Sequence, residues 1–432
     1  MRITRLEAKG IGPFEDLNIE FKPKPAGMEN KAEIHILTGE NGTGKSTILM
    51  LLSCYADKTN DNLILSRFRS KKIVQSVLDE GLISRFDIYS DEAERFQSFF
   101  IYSNQNISTV NYDFTKKVDR IILNKEINAR YLFFAYSGNR ELETKNEIKI
   151  AEINESPIFD TLNFRKKINF DTILNWIATN KAKEAFALLK NNNSSAQKYE
   201  NSLKKIEDSI SNITQKAVEF DIEDQPFRVF LKIANKSLDF NILPDGLKSI
   251  ISWLSDLLMR LDRIDWADKS KSILEQNFIL FLDEIEVHLH PSWQRKILPV
   301  VQDLFPNAQI FISTHSPFVV GSVDGARVYK FKLDENNNSV LDSEYWTEDG
   351  NSYDRILEEI FDIKERFGVG VQKQLDEFKE YKIQILKGKT IDEEAFMKLA
   401  NEIAKQSIEL NGIISFELRQ LKRNTTQKLE TA

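Results

Sequence analysis

The chain has 432 residues, 29 % of them charged and 41 % hydrophobic, and a formal net charge of −7. That apolar content excludes wholesale disorder, the acidic balance excludes a protein coated in nucleic acid, and the length suits two or three domain-sized units. No apolar run approaches the about 20 residues of a spanning helix, no basic region with an apolar stretch opens the chain, and the single Cys54 excludes an internal disulfide, so the expectation is a cytoplasmic protein without a signal peptide or membrane contact.

Residues 2–8 and 17–21 alternate as two strands around Gly10-Ile11-Gly12-Pro13, and a loop rich in Lys, Pro and Gly follows at 23–31. Ile34-His35-Ile36-Leu37 is a short apolar strand that runs into a glycine-rich loop, which opens a helix from Ile48 to Tyr55. Residues 84–136 alternate, with Phe86-Asp87-Ile88-Tyr89, Phe99-Phe100-Ile101-Tyr102 and Leu132 to Tyr136, and predict a small antiparallel sheet. Phe170, Ile173, Leu174 and Ile177, then Leu203, Ile206, Ile210 and Ile213, keep helical spacing on either side of an Asn-Ser run at 191–195 and predict a helical insertion. Residues 227–233 and 238–242 predict a hairpin, 247–260 an apolar helix, and 278–282 and 309–313 buried strands. Val328 to Leu333 and Val340 to Trp346 predict a second hairpin. From Tyr353 the pattern is helical, broken at Lys387-Gly388-Lys389 and Asn411-Gly412, with a loose polar tail from about Asn424.

Three motifs carry chemistry. Gly39-Glu40-Asn41-Gly42-Thr43-Gly44-Lys45-Ser46 fits the full phosphate-loop pattern, between an apolar strand and a helix as that pattern requires. Glycines there let backbone N–H groups approach phosphates, and the helix that follows Thr47 adds its positive N-terminus. Lys45 reaches the β- and γ-phosphates of ATP and Ser46 ligates Mg²⁺. Phe278 to Leu282 ends in Asp283, a candidate Mg²⁺ ligand, and Glu284, a candidate to orient or deprotonate the attacking water. Ile310 to Ser313 presents Thr314 and His315 at a strand's C-terminal end, where α/β ligand sites lie and where His315 can hydrogen-bond the γ-phosphate. His288 and His290 form an H-x-H pair, but a metal site wants three or four ligands and no other partner stands nearby in sequence.

The run from Leu282-Asp283-Glu284 to His288-Leu289-His290-Pro291, with Ser313-Thr314-His315-Ser316-Pro317, resembles the ABC-type ATPase heads of the SMC/RecF/OLD class. The resemblance implies an α/β fold: a P-loop mixed sheet with helices plus an antiparallel β subdomain, a helical insertion and a C-terminal helical region. It divides the chain into an N-terminal half-head (1–150), the insertion (151–226), a C-terminal half-head (227–345) and a helical oligomer or partner region (346–432). It also implies a head dimer with a signature segment acting across it. The best match is Leu243-Pro244-Asp245-Gly246-Leu247-Lys248-Ser249, which departs from the family at Pro244, where a hydroxyl should touch the γ-phosphate. Gly246, Lys248 and Ser249 are the residues that could compensate, and Asp245 adds charge or caps the helix. The family's Q-loop glutamine is absent after Tyr136; Ser137-Gly138-Asn139-Arg140 stands there, with Asn139 or Arg140 facing the nucleotide or the whole serving as an ordinary turn.

Positions 45 and 283 leave no room for the long coiled coils of SMC and repair heads, and no Toprim-like Asp-x-Asp pair or His-rich nuclease motif follows His315. The remaining match is the PtuA family, ATPase subunits of Septu-type anti-phage systems that also occur in some retrons; Gly350 to Ile360 resembles a segment common there. This implies ATP and Mg²⁺ as cofactors, a homo-oligomer, and a separately encoded HNH-type nuclease as partner. A RecF-like DNA-repair ATPase and a nucleotide-locked scaffold are the alternatives. The basic stretches Arg67 to Lys72 and Arg165-Lys166-Lys167 read either as DNA contacts or as solvated charge.

Overall fold

The computed structural model describes residues 1–54, 84–91, 95–103, 106–112, 129–138, 142–143, 148–164, 167–225, 227–234, 236–348 and 350–430. Strands β1 (Ile3–Ile11), β2 (Phe14–Glu20) and β3 (Glu33–Gly39) precede helix α1 (Lys45–Ser53). Then come β4 (Ser84–Ser90), β5 (Arg95–Ser103), β6 (Asn106–Tyr112), β7 (Leu132–Tyr136) and the short β8 (Leu142–Glu143) and β9 (Ile168–Asn169). Helices α2 (Phe170–Leu189) and α3 (Asn193–Thr214) form the helical insertion. Strands β10 (Val218–Asp224), β11 (Phe227–Ile233) and β12 (Lys236–Leu238) lead into α4 (Asp245–Arg263). Strand β13 (Phe278–Leu282), α5 (Pro291–Leu304), β14 (Gln309–Ser313), α6 (Pro317–Val320), β15 (Arg327–Leu333) and β16 (Ser339–Trp346) follow. The helical end comprises α7 (Tyr353–Glu359), α8 (Val369–Leu386), α9 (Glu393–Ala404) and α10 (Ile408–Glu430).

A six-stranded sheet of order β16-β15-β3-β14-β13-β7 joins both ends of the chain. All neighbours in it are parallel except the edge pair β15–β16. Its strands are buried along their whole length at β7, β13 and β14, which is why they read as unbroken apolar runs rather than alternating ones. Register pairs Leu37 with Ser313, and Leu282 with both Ile312 and Tyr136, so four strands end together on one edge. A five-stranded antiparallel sheet, β2-β1-β4-β5-β6, shares a core with this edge: Phe14, Leu17 and Ile19 pack in one cluster with Ile48, Leu51, Phe281, Phe311 and Phe331.

At the opposite end of β3, Glu33 and His35 form a buried polar knot. Arg2 Nε donates to both Glu33 oxygens at 2.7 Å, His35 Nε2 donates to Glu33 Oε1 at 2.7 Å, and Gln309 Nε2 donates to the same oxygen at 2.8 Å. The Tyr329 phenol donates to Glu20 O at 3.1 Å and stands 3.3 Å from His35 Nδ1. Burial alone would push the Glu33 carboxyl up, but His35 and Arg2 outweigh it and hold it at about 2. Burial holds His35 below its ordinary 6.5, against the pull of the Glu33 carboxylate.

Several expectations are corrected. Leu132–Tyr136 is a parallel edge strand of the large sheet, not part of the antiparallel one. The predicted hairpin of 227–233 forms with β12, which ends at Leu238; β10 pairs on the other side of β11, and residues Phe240–Ile242 are a 3-10 turn capped by Asp239 Oδ1 at 2.8 Å from Asn241 N. Gly412 does not break the last helix, which runs on past Asn424 to Glu430. The chain divides into two compact units, Met1–Ile356 and a second that starts at Leu357. Tyr353 stays with the first because its ring packs tilted against Phe318, at 5.2 Å between centroids, and lies under the Arg295 guanidinium at 5.3 Å. The second unit has its own core of Leu375, Phe378, Phe396, Leu399, Ile403 and Leu410.

Candidate nucleotide site

The loop from Gly39 to Gly44 turns the end of β3 into the start of α1. Gly39 has φ +140°, and a Cβ on it would stand 2.2 Å from the Phe331 carbonyl oxygen of the neighbouring strand. Gly44 is the N-cap of α1 at φ +83°, a left-handed conformation that glycine adopts without strain. Thr43 is fully buried; its hydroxyl donates to Glu40 O at 2.8 Å, and Ser339 Oγ donates to Thr43 O at 2.7 Å, so the β15–β16 hairpin supports the loop from behind. Glu40, Asn41 and Gly42 are exposed at the loop's crest.

Lys45 is buried with its ammonium inside this loop, donating to Gly39 O at 3.0 Å and Glu40 O at 2.9 Å. Burial lowers its pKa, opposed by the charges of Asp283, Glu284 and Glu286. Ser46 Oγ donates to Asp283 Oδ1 at 2.9 Å, across 237 positions of sequence, and Ser313 Oγ donates to the same oxygen. Thr47 is buried in the first turn behind them. Asp283 N–H is held by the Tyr136 carbonyl at 2.9 Å. Asp283 and Ser46 thus present hard oxygen donors beside the phosphate loop, the donor set that Mg²⁺ takes when most of its remaining ligands are phosphate and water.

Glu284 follows with φ +46°, a left-handed conformation that costs an ordinary side chain about 1–2 kcal/mol. The Ser313 hydroxyl, accepting from Glu284 N at 2.8 Å, and Ile285 N bonding to Ser313 O at 3.4 Å, hold it there. Such a conformation persists only where the surroundings over-determine it. His315 leaves the end of β14 with its N–H on Glu286 Oε1 at 2.5 Å. Burial and then the Lys45 charge lower the His315 pKa, with Asp283 opposing, so the imidazole is neutral at neutral pH. Burial raises the Glu286 carboxyl, partly offset by the His315 N–H.

The structure therefore brings together Lys45, Ser46, Asp283, Glu284 and His315, and adds two residues with no assigned part in the sequence reading. Ser313 bridges Asp283 and Glu284; Glu286 fixes the backbone of His315. Their signals were the serine that ends the β14 motif and the Asp-Glu-x-Glu spacing. Gly138 lies against Glu284, whereas Asn139 and Arg140 fall outside the described residues, as do Arg67 to Lys72, Arg165 and Lys166.

The signature segment lies elsewhere in the chain. Pro244 is the N-cap of α4 with φ −58° and no side-chain cap bond, and Asp245 is the first helical residue rather than the cap. Gly246 packs under His288: a Cβ there would be 2.4 Å from the His288 carbonyl oxygen. Ser249 is 2 % exposed, one turn inside the helix. Lys248 Nζ is engaged with Asn241 O at 2.8 Å. His290 caps α5, its Nδ1 accepting from Ser292 N at 3.2 Å. Among the described residues no helix is long and apolar enough to cross a membrane.

The family model described as "AAA domain, putative AbiEii toxin, Type IV TA system" matches residues 34–321, and a second AAA-domain model matches residues 1–56. The Septu protein PtuA of Bacillus thuringiensis is 23 % identical over 396 residues, covering 88 % of this chain and 91 % of that protein. The Retron Ec83 probable ATPase of Escherichia coli is 29 % identical over 151 residues, 34 % of this chain and 26 % of that one. The Retron Vc95 probable ATPase of Vibrio cholerae serotype O1 biovar El Tor is 31 % identical over 151 residues, 33 % and 29 % of the two chains. The chain thus spans little more than a quarter of its retron relatives. Among solved structures, an SMC head bound to the C-winged helix domain of ScpA aligns with TM-score 0.46 at 12 % identity, over 80 % of this chain and 98 % of that one. With two thirds of its length matched, and with the phosphate loop, Asp283 and His315 all inside the matched segment, the chain belongs to the AAA-domain family of the putative AbiEii-toxin type and resembles PtuA.

Proposed function

We propose that this chain is an ATP-binding, slowly hydrolysing ABC-type ATPase of a Septu-like anti-phage defence system, working in the cytoplasm to regulate a separately encoded nuclease. The observation that carries it is the Ser46–Asp283 hydrogen bond of 2.9 Å, which joins the phosphate loop to the strand that ends in Glu284. The near full-length likeness to PtuA supports the defence setting, and an HNH enzyme is the expected effector.

The loop N–H groups from Gly39 to Gly44 and the Lys45 ammonium bind the phosphates of ATP. Ser46 and Asp283 hold Mg²⁺, which when bound neutralises phosphate charge. Glu284 orients a water and takes its proton as the water oxygen bonds to the γ-phosphorus and the bond to the β-phosphate oxygen breaks. His315 donates to the γ-phosphate. The segment around Gly246 in a second copy completes the site, so the working form is at least a dimer of heads. Pro244 gives that segment no hydroxyl and no N–H. One missing donor to transition-state charge costs about 3 kcal/mol, a hundredfold or more in rate. A long-lived ATP state then makes nucleotide level, rather than rapid cycling, set the nuclease output.

The test is equilibrium ATP binding and steady-state turnover of the full chain and its Lys45→Ala variant, with co-purification of the neighbouring gene product. Loss of binding in a folded Lys45→Ala protein is expected. Unchanged nucleotide affinity would remove the site assignment, and brisk wild-type turnover would remove the slow-switch reading.

A further inference from the structure

Tyr136, the last residue of β7, touches two functional elements at once, and the chemistry above uses neither contact. Its carbonyl accepts the Asp283 N–H at 2.9 Å, and its register partner is Leu282. Its phenol donates to Asp256 Oδ2, also at 2.9 Å, on the helix that starts with the signature segment. The same Asp256 oxygen takes the Arg260 Nε at 2.7 Å, and Arg260 Nη1 donates to the carbonyls of Pro157 and Phe159 at 2.9 Å each. All three side chains are buried, and the Tyr136 ring leans on Trp253 of α4 with centroids 6.0 Å apart.

The bonds are of a demanding kind. A buried carboxylate must keep its donors, because water cannot replace them. Asp256 is anchored by Arg260 whatever Tyr136 does, so the phenol is the part of the knot that reaches the sheet. Two residues further on, Gly138 abuts Glu284. The position of α4 is therefore written into the last residues of β7, and from there into Asp283 and Glu284. A helix is stiff over the three turns between Gly246 and Asp256, about 15 Å at 1.5 Å per residue.

We propose that Tyr136 is a positioning residue for hydrolysis: its phenol references the end of β7 to α4, so that the helix presenting the signature segment sets the placement of Asp283 and Glu284 in the same head. This rests on the ATPase reading above. It makes Tyr136 dispensable for holding ATP and important for turning it over.

Tyr136→Phe keeps the ring against Trp253 and removes only the hydroxyl. In the full chain with Mg·ATP, we expect kcat to fall about tenfold with KM and nucleotide affinity within twofold, as for an interaction made only in the transition state. The melting temperature should hold within a few degrees. Asp256→Asn should give a similar kcat loss, and adding Tyr136→Phe to it should cost little more, since the two act through one contact. A kcat within twofold of wild type in Tyr136→Phe overturns the inference alone. Equal losses of kcat and binding together with a lowered melting temperature overturn it too, as the mark of a merely structural residue. Wild-type turnover no greater than that of Lys45→Ala overturns the ATPase reading, and this inference with it.

Discussion

A Cβ placed on Gly138 would lie 2.9 Å from both Cβ and Oε2 of Glu284. The turn after β7 therefore forms a wall of the space in which the Glu284 carboxylate stands. Gly138→Ala should displace that carboxylate: Oε2 can swing aside, but the clash with Cβ, which moves only with the backbone, has to be relieved by shifting the Glu284 backbone held by Ser313 or the Gly138 turn itself. The expected outcome is a loss of turnover of about a hundredfold, on the scale of a misplaced catalytic group, with ATP binding retained. Steady-state rates beside equilibrium binding check this.

Glu284→Gln keeps the shape of the side chain and removes its capacity to take a proton. It should retain ATP binding and lengthen the ATP-bound state. Pro244→Ser should speed hydrolysis by restoring a donor to the second copy's γ-phosphate. Serine is also a preferred N-cap, worth about 1 kcal/mol over alanine, so Pro244→Ala is the control. A rate gain in Ser and Ala alike would assign the effect to backbone freedom rather than to the hydroxyl.

The knot at Glu33 and His35 predicts acid sensitivity with a defined sign. The His35 pKa is lowered in the folded chain, so the unfolded chain binds the extra proton and stability declines as pH falls below 6.5. Glu33, held at about 2, adds stability that is complete above its ordinary 4.5 and is lost as pH falls toward that lower value. One proton taken up on unfolding gives a slope of up to about 1.4 kcal/mol per pH unit. Denaturant midpoints between pH 8 and 5 should show that decline, and His35→Gln, though less stable at pH 7, should flatten it. An equal slope in the variant would assign the loss to other groups.

Deleting residues 357–432 removes a unit with its own core and leaves Tyr353 and Ile356 on the head. The truncated chain should keep its ATP affinity and lose the nuclease partner or the higher oligomer. Ile383 and Phe416 are about half exposed on that unit, which makes them the first residues to vary. Assembly intact after truncation, measured by light scattering and co-purification, would place the partner surface on the head.

The phosphate loop, Asp283 and Glu284 were legible because their chemistry is local: a strand, a turn and a helix start within a dozen residues. The buried strands were legible as unbroken apolar runs. Strand β10 was not, although Val218-Glu219-Phe220-Asp221-Ile222 alternates. The helix before it ends at Gln215 with φ +58°, a left-handed cap that sequences usually mark with glycine. Gly412 misled in the other direction: a glycine inside a helix costs only about 1 kcal/mol, and burial of Leu410 and Ile414 on either side offsets it. Ser313, Glu286 and Tyr136 act through partners far away in sequence or through one backbone N–H, and no spacing rule reports such contacts.

Strand β3 is complete at Gly39, yet both of its sheet neighbours, β14 and β15, begin beyond residue 300. At the usual ribosomal pace of 5–20 residues per second, the first of them emerges roughly 15–55 s later. Through that interval the strand feeding the phosphate loop has two open edges and no neighbour to close them. A product interrupted by arrested translation before β14 leaves β3, and the phosphate loop at its end, without either sheet neighbour. The interleaved strand order therefore ties the assembly of the phosphate loop to synthesis: a chain that stops short of β14 lacks both neighbours of β3, whereas one that reaches Ile356 carries the whole sheet.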